Sequence, residues 1–358
     1  MKRLILAFPL LAGAAFSAET PEKHIQVYAH RGMRSFLPEN TLPAYDAALR
    51  LGVDWVDMDV ILTKDGQVLV SHDMALNPDI TRGPDGKFIA ENKESLKTLS
   101  TEERAAFNRK YAVLGMTLEQ TRVFDVGRLN RSSAYSRFFP DQTAIDGTKM
   151  PPLREVLEHV SRIAGSGVGF QLEMKTDPAH PEYSPDPAAF AKAVYGAVSA
   201  AGALDRTEIQ AFDFRCLYEL QKLNPKVKTA YLTSRDNERG GEDDFFSPDA
   251  AAAGRWTGGK LVKNYGNSIP RMVKELGGFA WEPEDAQLTR QSLDEARGLG
   301  LKVVVWSWPE KNGTAFDPAM MARLIDWGVD GIITDDPGRL SSMLAARGLR
   351  LHKRCDIP

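Results

Sequence analysis

Cysteine is scarce in this chain: Cys216 and Cys355 are the only two among 358 residues. So thin a supply excludes a disulfide framework. Cys216 has no histidine nearby and Cys355 has only His352, too few ligands together for a cysteine–histidine zinc site. Cys216 falls at the start of a predicted helix and Cys355 in the terminal tail, so one bridge and two free thiols both stay open. An excess of charge of one sign is also missing. With 45 Lys and Arg against 48 Asp and Glu, the formal net charge is −3. A chain without a basic stripe is a poor match for a nucleic-acid partner. There is no internal repeat and no low-complexity tract.

An apolar run of the ~20 residues that a bilayer-spanning helix needs is absent as well. The run Leu4 to Phe16 falls short of it. That run follows Met1-Lys2-Arg3 and leads to Ala15-Phe16-Ser17, which puts small residues at −3 and −1 of a cut before Ala18. A charged start, a short apolar stretch and a small-residue exit are the layout of a cleavable signal peptide, here residues 1–17. No cysteine lies near the cut, so a lipoprotein anchor is not indicated. The expectation is a mature chain over 18–358, periplasmic or secreted, with no stable membrane anchor.

What is abundant is apolar content, 43% of the chain, enough to bury the core of one large domain. Short β-rich runs alternate with helical stretches, the pattern of a parallel sheet wound with helices. Strands are predicted at Gln26–His30, Trp55–Val60, Val168–Lys175, Thr207–Phe212, Val227–Leu232, Gly278–Glu282, Lys302–Trp306 and Gly331–Thr334. Helices are predicted at Leu42–Leu51, Leu153–Ala164, Pro187–Ala201, Arg215–Leu223, Thr289–Leu299 and Pro318–Gly328. Eight strands with intervening helices fit an α/β fold, a (β/α)8 TIM barrel. Two segments interrupt the repeat. One, about 74–152, is too long for a βα connection and reads as an insertion subdomain after the second strand. The other is a long loop at about 235–270.

Chemistry concentrates near the start. Ala29-His30-Arg31-Gly32, Pro38-Glu39-Asn40-Thr41, Asp57-Met58-Asp59-Val60, Thr63-Lys64-Asp65-Gly66 and Ser71-His72-Asp73 fall close together. In a strand, i and i+2 share a face, so Asp57 and Asp59 aim at one point, as do Gln171, Glu173 and Lys175. Paired hard oxygens suit Ca²⁺ or Mg²⁺. His30 and His72 offer proton transfer near neutral pH. Arg31 matches phosphate geometry, with Glu39 as its ion-pair partner. Metal, two histidines and an arginine together read as phosphodiester chemistry. His24, His159, His180 and His352 lack such company and read as surface or structural groups. Asp335 and Asp336 read as caps of the turn after the last strand.

The order of these motifs resembles the glycerophosphodiester phosphodiesterase family. The resemblance continues through Gln171-Leu172-Glu173-Met174-Lys175, Gln210-Ala211-Phe212-Asp213, Val304-Val305-Trp306-Ser307 and Gly331-Ile332-Ile333-Thr334-Asp335-Asp336-Pro337, roughly residues 26 to 340. One position departs: Asp57 stands where the family's pair begins with glutamate.

The resemblance implies metal-dependent hydrolysis of a small glycerophosphodiester to sn-glycerol 3-phosphate and an alcohol. It implies one divalent cation, Ca²⁺ or Mg²⁺, on Asp57, Asp59 and Glu173, with Glu39 either orienting Arg31 or touching the metal. His30 and His72 would divide the acid and base roles, and Arg31 and Lys175 would bind phosphate. Trp306 and Phe212 are candidates for substrate contact; Trp281 and Trp308 are further aromatics near strand ends. Two rivals stand beside this reading: a lipid-directed phosphodiesterase that forms a cyclic phosphate, and a non-catalytic periplasmic binding protein.

Overall fold

Residues 24–234, 246–247, 249–309 and 313–349 are described by the computed structural model. The strands are β1 (Gln26–Ala29), β2 (Trp55–Leu62), β3 (Val68–Val70), β4 (Gly169–Met174), β5 (Thr207–Ala211), β6 (Lys228–Thr233), β7 (Ala280–Pro283), β8 (Lys302–Val305) and β9 (Gly331–Thr334). All except β3 run parallel in the order β1-β9-β8-β7-β6-β5-β4-β2, and β2 returns to pair with β1. The sheet therefore closes into an eight-stranded barrel. β3 lies outside that circuit, antiparallel to β2, and Thr63 and Gly66 turn the chain between them.

Helices cover the barrel, so its strands are buried on both faces and read as apolar runs rather than alternating ones. Every residue of β2 and β5 is buried. One helix follows each barrel strand or its loop: Leu42–Leu51, Leu153–Ala164, Pro187–Ala200, Phe214–Leu223, Ile269–Glu275, Arg290–Gly298, Pro318–Trp327 and Pro337–Ala345. Their starts follow local chemistry. Asp186, Asp213, Asp317 and Asp336 each accept a hydrogen bond from a first-turn N–H, and proline sits in the first turn behind three of them. Leu153, Val156, Leu157 and Val160 recur at helical spacing and are the buried face of their helix.

Gly32 in the first motif has a backbone reason. Its φ is +86°, and a Cβ there would meet the Ala44 main chain at 2.8 Å. No other residue allows the helix Leu42–Leu51 to come so close to the end of β1.

The segment between β3 and Leu153 forms short helices at Lys93–Lys97, Thr101–Tyr111 and Leu118–Thr121. It packs Leu76, Val113, Val126 and Met150 onto Ile61 and Leu69 in an apolar cluster of its own. Of the second long loop, residues 235–245 and 248 lie outside the described residues, as do the expected signal peptide, His352 and Cys355. The remainder folds into a short helix, Ala250–Gly254, and buries Trp256. Cys216 is buried in the helix Phe214–Leu223, where burial pushes its thiol up. His24, His159 and His180 pair with Asp54, Asp46 and Glu182 away from the cavity described below. Among the described residues no helix is long and apolar enough to cross a membrane.

Candidate active site

The carboxyl ends of the barrel strands open into a cavity of about 870 Å³. Its lining includes His30, Arg31, Asp57, His72, Glu173, Lys175, Phe212 and Trp306. Asp59 and Glu39 join the same cluster through Arg31. Its Nε lies 3.0 Å from Asp59 Oδ2, and its Nη1 donates to Glu39 Oε1 at 2.8 Å. Residues from six strands or strand ends thus converge, because parallel register sets Asp57 beside Gln171 and Asp59 beside Glu173.

His30 follows β1 and His72 follows β3, and each leaves 20% of its side chain open to the cavity. Each also has a carboxylate behind it. His30 Nδ1 lies 2.7 Å from Asp335 Oδ1, and His72 Nδ1 lies 3.3 Å from Asp73 Oδ1. An Nδ1–H that donates to Asp335 leaves the His30 Nε2 lone pair as an acceptor on the cavity side, where Arg31 Nε donates to it at 3.3 Å. Asp335 is held in turn by Arg34, whose Nε and Nη2 donate to its two oxygens at 2.7 Å each. Burial favours the neutral acid, but Arg34 and then His30 hold Asp335 well below the usual carboxylate range. Asp73 is likewise held down by Lys93 and His72 against its burial. Burial and Arg34 lower His30, with Asp335 opposing them. Burial, Arg31 and Lys175 lower His72 to about 3. Both imidazoles are therefore neutral near pH 7.

Asp335 corrects the expectation from sequence. Asp336 alone caps the helix, while Asp335 turns into the site beside His30. Arg34, Asp73, Tyr135 and Gln210 were also missed. Asp73 and Gln210 both stood in quoted motifs, Ser71-His72-Asp73 and Gln210-Ala211-Phe212-Asp213, without being given a role. Tyr135 carries no local signal, being far from every motif in sequence.

The acidic side of the cavity is crowded. Burial pushes Asp57 up first, with Asp59 and Glu173 adding to the rise. Glu173 is raised by burial and by Asp59, although Lys175 Nζ donates to its Oε1 at 2.5 Å. Asp59 goes the other way: against its burial, Arg31 and Lys175 hold it well below the usual range. Asn40 Nδ2 also donates to Asp59, and Gln210 Nε2 donates to Asp57 Oδ1 at 2.8 Å. Among the described residues no group of three acidic, histidine or cysteine side chains is already arranged as a metal cage. The donor set nevertheless fits a hard divalent cation. Burial and then mutual proximity drive Asp57 and Glu173 toward protonation beside the buried Asp59, and a divalent charge offsets both.

An aromatic wall lines the same cavity. Phe212 and Trp306 meet edge to face at 5.3 Å between ring centres, and Trp306 meets Trp308 at 5.0 Å. Trp281 does not belong to it; that ring is buried in the core and donates to Thr233.

Residues 30–339 match the model of the Glycerophosphoryl diester phosphodiesterase family. The chain is 30% identical to the crystal structure of a protein from Silicibacter pomeroyi described as a "Putative glycerophosphoryl diester phosphodiesterase". The two superpose with a TM-score of 0.73 over 92% of this chain and 96% of that one. It is 25% identical to a glycerophosphodiester phosphodiesterase of Caldanaerobacter subterraneus, over 90% of this chain and 98% of the relative. An Oleispira antarctica phosphodiesterase, solved in complex with the product sn-glycerol-3-phosphate, shares the fold at 18% identity and a TM-score of 0.59, over 90% of this chain and 97% of that one.

Proposed function

Since the chain belongs to the glycerophosphoryl diester phosphodiesterase family and so is a phosphoric diester hydrolase, we propose that it hydrolyses glycerophosphodiesters to sn-glycerol 3-phosphate and an alcohol. The observation that carries this reading is the meeting of two carboxylate-backed histidines with Arg31 and Lys175 on one cavity. The quoted motifs hold two serines, Ser71 and Ser307, and no hydrogen bond among the described residues joins either to a histidine that could activate it, whereas the glycerol 2-hydroxyl of the substrate lies one carbon from the ester.

In the proposed sequence that hydroxyl attacks phosphorus and its proton passes to one histidine. The bond from phosphorus to the alcohol oxygen breaks, and the other histidine gives the departing oxygen a proton. Water then opens the cyclic phosphate with the two roles exchanged. Arg31 and Lys175 face the non-bridging oxygens, where negative charge grows, and fixed cations stabilise that charge most in a water-poor cavity. A bound phosphodiester also offsets the push of Arg31 and Lys175 on His72, which lets an imidazole hold the proton that the alcohol needs. Glu39, engaged by Arg31, orients that guanidinium.

Asp57, Asp59 and Glu173 would hold a divalent cation, which when bound supplies Lewis-acid charge beside the phosphate. Phe212 and Trp306 would wall the alcohol side of the cavity. The signal-peptide layout of residues 1–17 supports an exported enzyme.

Incubation with glycerophosphocholine and its 2-deoxy analogue tests the reading, with release of sn-glycerol 3-phosphate from the parent as the readout. The parent is expected to be cleaved and the analogue bound but barely cleaved. Cleavage of both at similar rates would rule out attack by the 2-hydroxyl, and cleavage of neither would overturn the substrate.

A further inference from the structure

One hydroxyl from the insertion reaches both halves of the site. Tyr135 lies in a helical turn, Ala134–Phe138, that forms part of the cavity wall. Its phenol donates to Glu39 Oε2, the oxygen that Arg31 leaves free. The same phenolic oxygen accepts from Arg34 Nη1 at 3.0 Å. Arg34 grips Asp335, and Asp335 holds His30. The ring is fixed as well: Tyr135 packs edge to face on Phe139 at 5.1 Å, and Phe139 lies 4.6 Å beneath the Arg34 guanidinium. Gln142 Nε2 donates to the Arg34 carbonyl at 2.8 Å, so the insertion also grips the backbone there.

A hydroxyl has one proton to give and lone pairs to offer, so this single group can bridge a carboxylate and a guanidinium at once. Both partners are buried and charged, where such bonds are strong and geometrically demanding. Arg31 has a further need for support. It carries φ +52°, in the left-handed region that a non-glycine residue adopts only when its surroundings enforce it.

We propose that Tyr135 is a positioning residue for the reaction: its hydroxyl ties the Arg31–Glu39 pair to the Arg34–Asp335–His30 chain, so the insertion aligns the phosphate-binding guanidinium with the imidazole. The inference rests on the proposed phosphodiesterase reading.

The test compares Tyr135→Phe with Arg82→Met. Arg82 pairs with Asp125 and Asp146 within the insertion, outside the catalytic groups, so its loss loosens the subdomain without touching the hydroxyl. Turnover of glycerophosphocholine, inhibition by inorganic phosphate and the urea midpoint are measured for each. Tyr135→Phe is expected to lower kcat about 10–100-fold, the scale of a small misalignment of reacting groups. It should also weaken phosphate inhibition several-fold at a near-native midpoint. Arg82→Met should lower the midpoint and leave both kinetic constants alone.

A double-mutant cycle guards against a folding defect. In a Glu39→Gln background, Tyr135→Phe should cost less than in the wild type, because the shared bond is already weakened. Native kcat and phosphate inhibition in Tyr135→Phe would overturn the inference. So would equal losses in Arg82→Met, or full additivity in the cycle. A wild-type protein that cleaves no glycerophosphodiester would overturn the parent reading and this inference together. An active wild type with an indifferent Tyr135→Phe would overturn this one alone.

Discussion

Replacing Asp335 by asparagine keeps the shape of the site and removes one charge. Two consequences follow, and they separate cleanly. The first is chemical. His30 Nδ1 sits 2.7 Å from Asp335 Oδ1. An asparagine can offer an N–H to that nitrogen, which would move the imidazole proton to Nε2 and remove the lone pair that faces the cavity. Removal of a working acid or base costs about 10²–10⁴-fold, or roughly 3–5 kcal/mol of barrier.

The second consequence is structural. Arg34 exposes only 3% of its side chain and spends two of its donors on Asp335. Breaking a buried pair by removing one partner costs about 3–5 kcal/mol. Asp335→Asn should therefore lose both kcat and thermal stability, the two read by steady-state turnover and calorimetry. Adding Arg34→Met removes the stranded cation and should restore part of the stability while turnover stays low. A single Asp335→Asn variant with kcat within a few-fold of the wild type would refute the reasoning, whatever its melting temperature.

Three further outcomes are expected. Chelation should abolish turnover and Glu173→Ala should do so in excess metal, whereas Asp57→Glu should change which divalent cation supports activity; metal-titrated kinetics in each variant checks this. His72 is held at about 3 in the fold and near 6.5 in an unfolded chain, so the unfolded state binds more protons between those values. Stability from this group is complete above pH ~6.5 and is lost as pH falls toward 3. Urea denaturation at pH 7 and pH 5 in chelator should show a drop that is smaller in His72→Asn, and equal drops would count against it. Mass spectrometry of a periplasmic extract from a bacterial host should find a chain starting at Ala18, and an intact Met1 in the cytoplasm would count against export.

The barrel was legible because its strands are short apolar runs bounded by turns, and because their count and alternation with helices admit few topologies. β2 illustrates the point: Trp55 to Leu62 is apolar except for Asp57 and Asp59, and those exceptions mark the site. The terminal helix Pro337–Ala345 was passed over although Asp336-Pro337 signals its start. The site was legible where spacing along one strand does the placing, as for Glu173 and Lys175. It was illegible where closure of the barrel does. Asp335 looked like a turn cap because a local reading cannot see that β9 lies against β1. Tyr135 reaches Glu39 across 96 residues of chain, through the packing of the insertion, for which no short motif exists.

The seam between β1 and β9 has a consequence for the timing of synthesis. His30 and its partner Asp335 are 305 residues apart, joined only when the last strand docks on the first. At ribosomal rates of about 5–20 residues per second, His30 waits on the order of tens of seconds for Asp335 to be made. Under the proposed mechanism hydrolytic competence arrives with the final strand, and a chain cut short before Gly331 carries nearly every motif yet lacks the carboxylate behind its first histidine. If His30 acts as proposed, turnover doubles as a reporter of barrel closure: a nascent or truncated chain is expected to be silent, and the first product molecule to mark a completed ring.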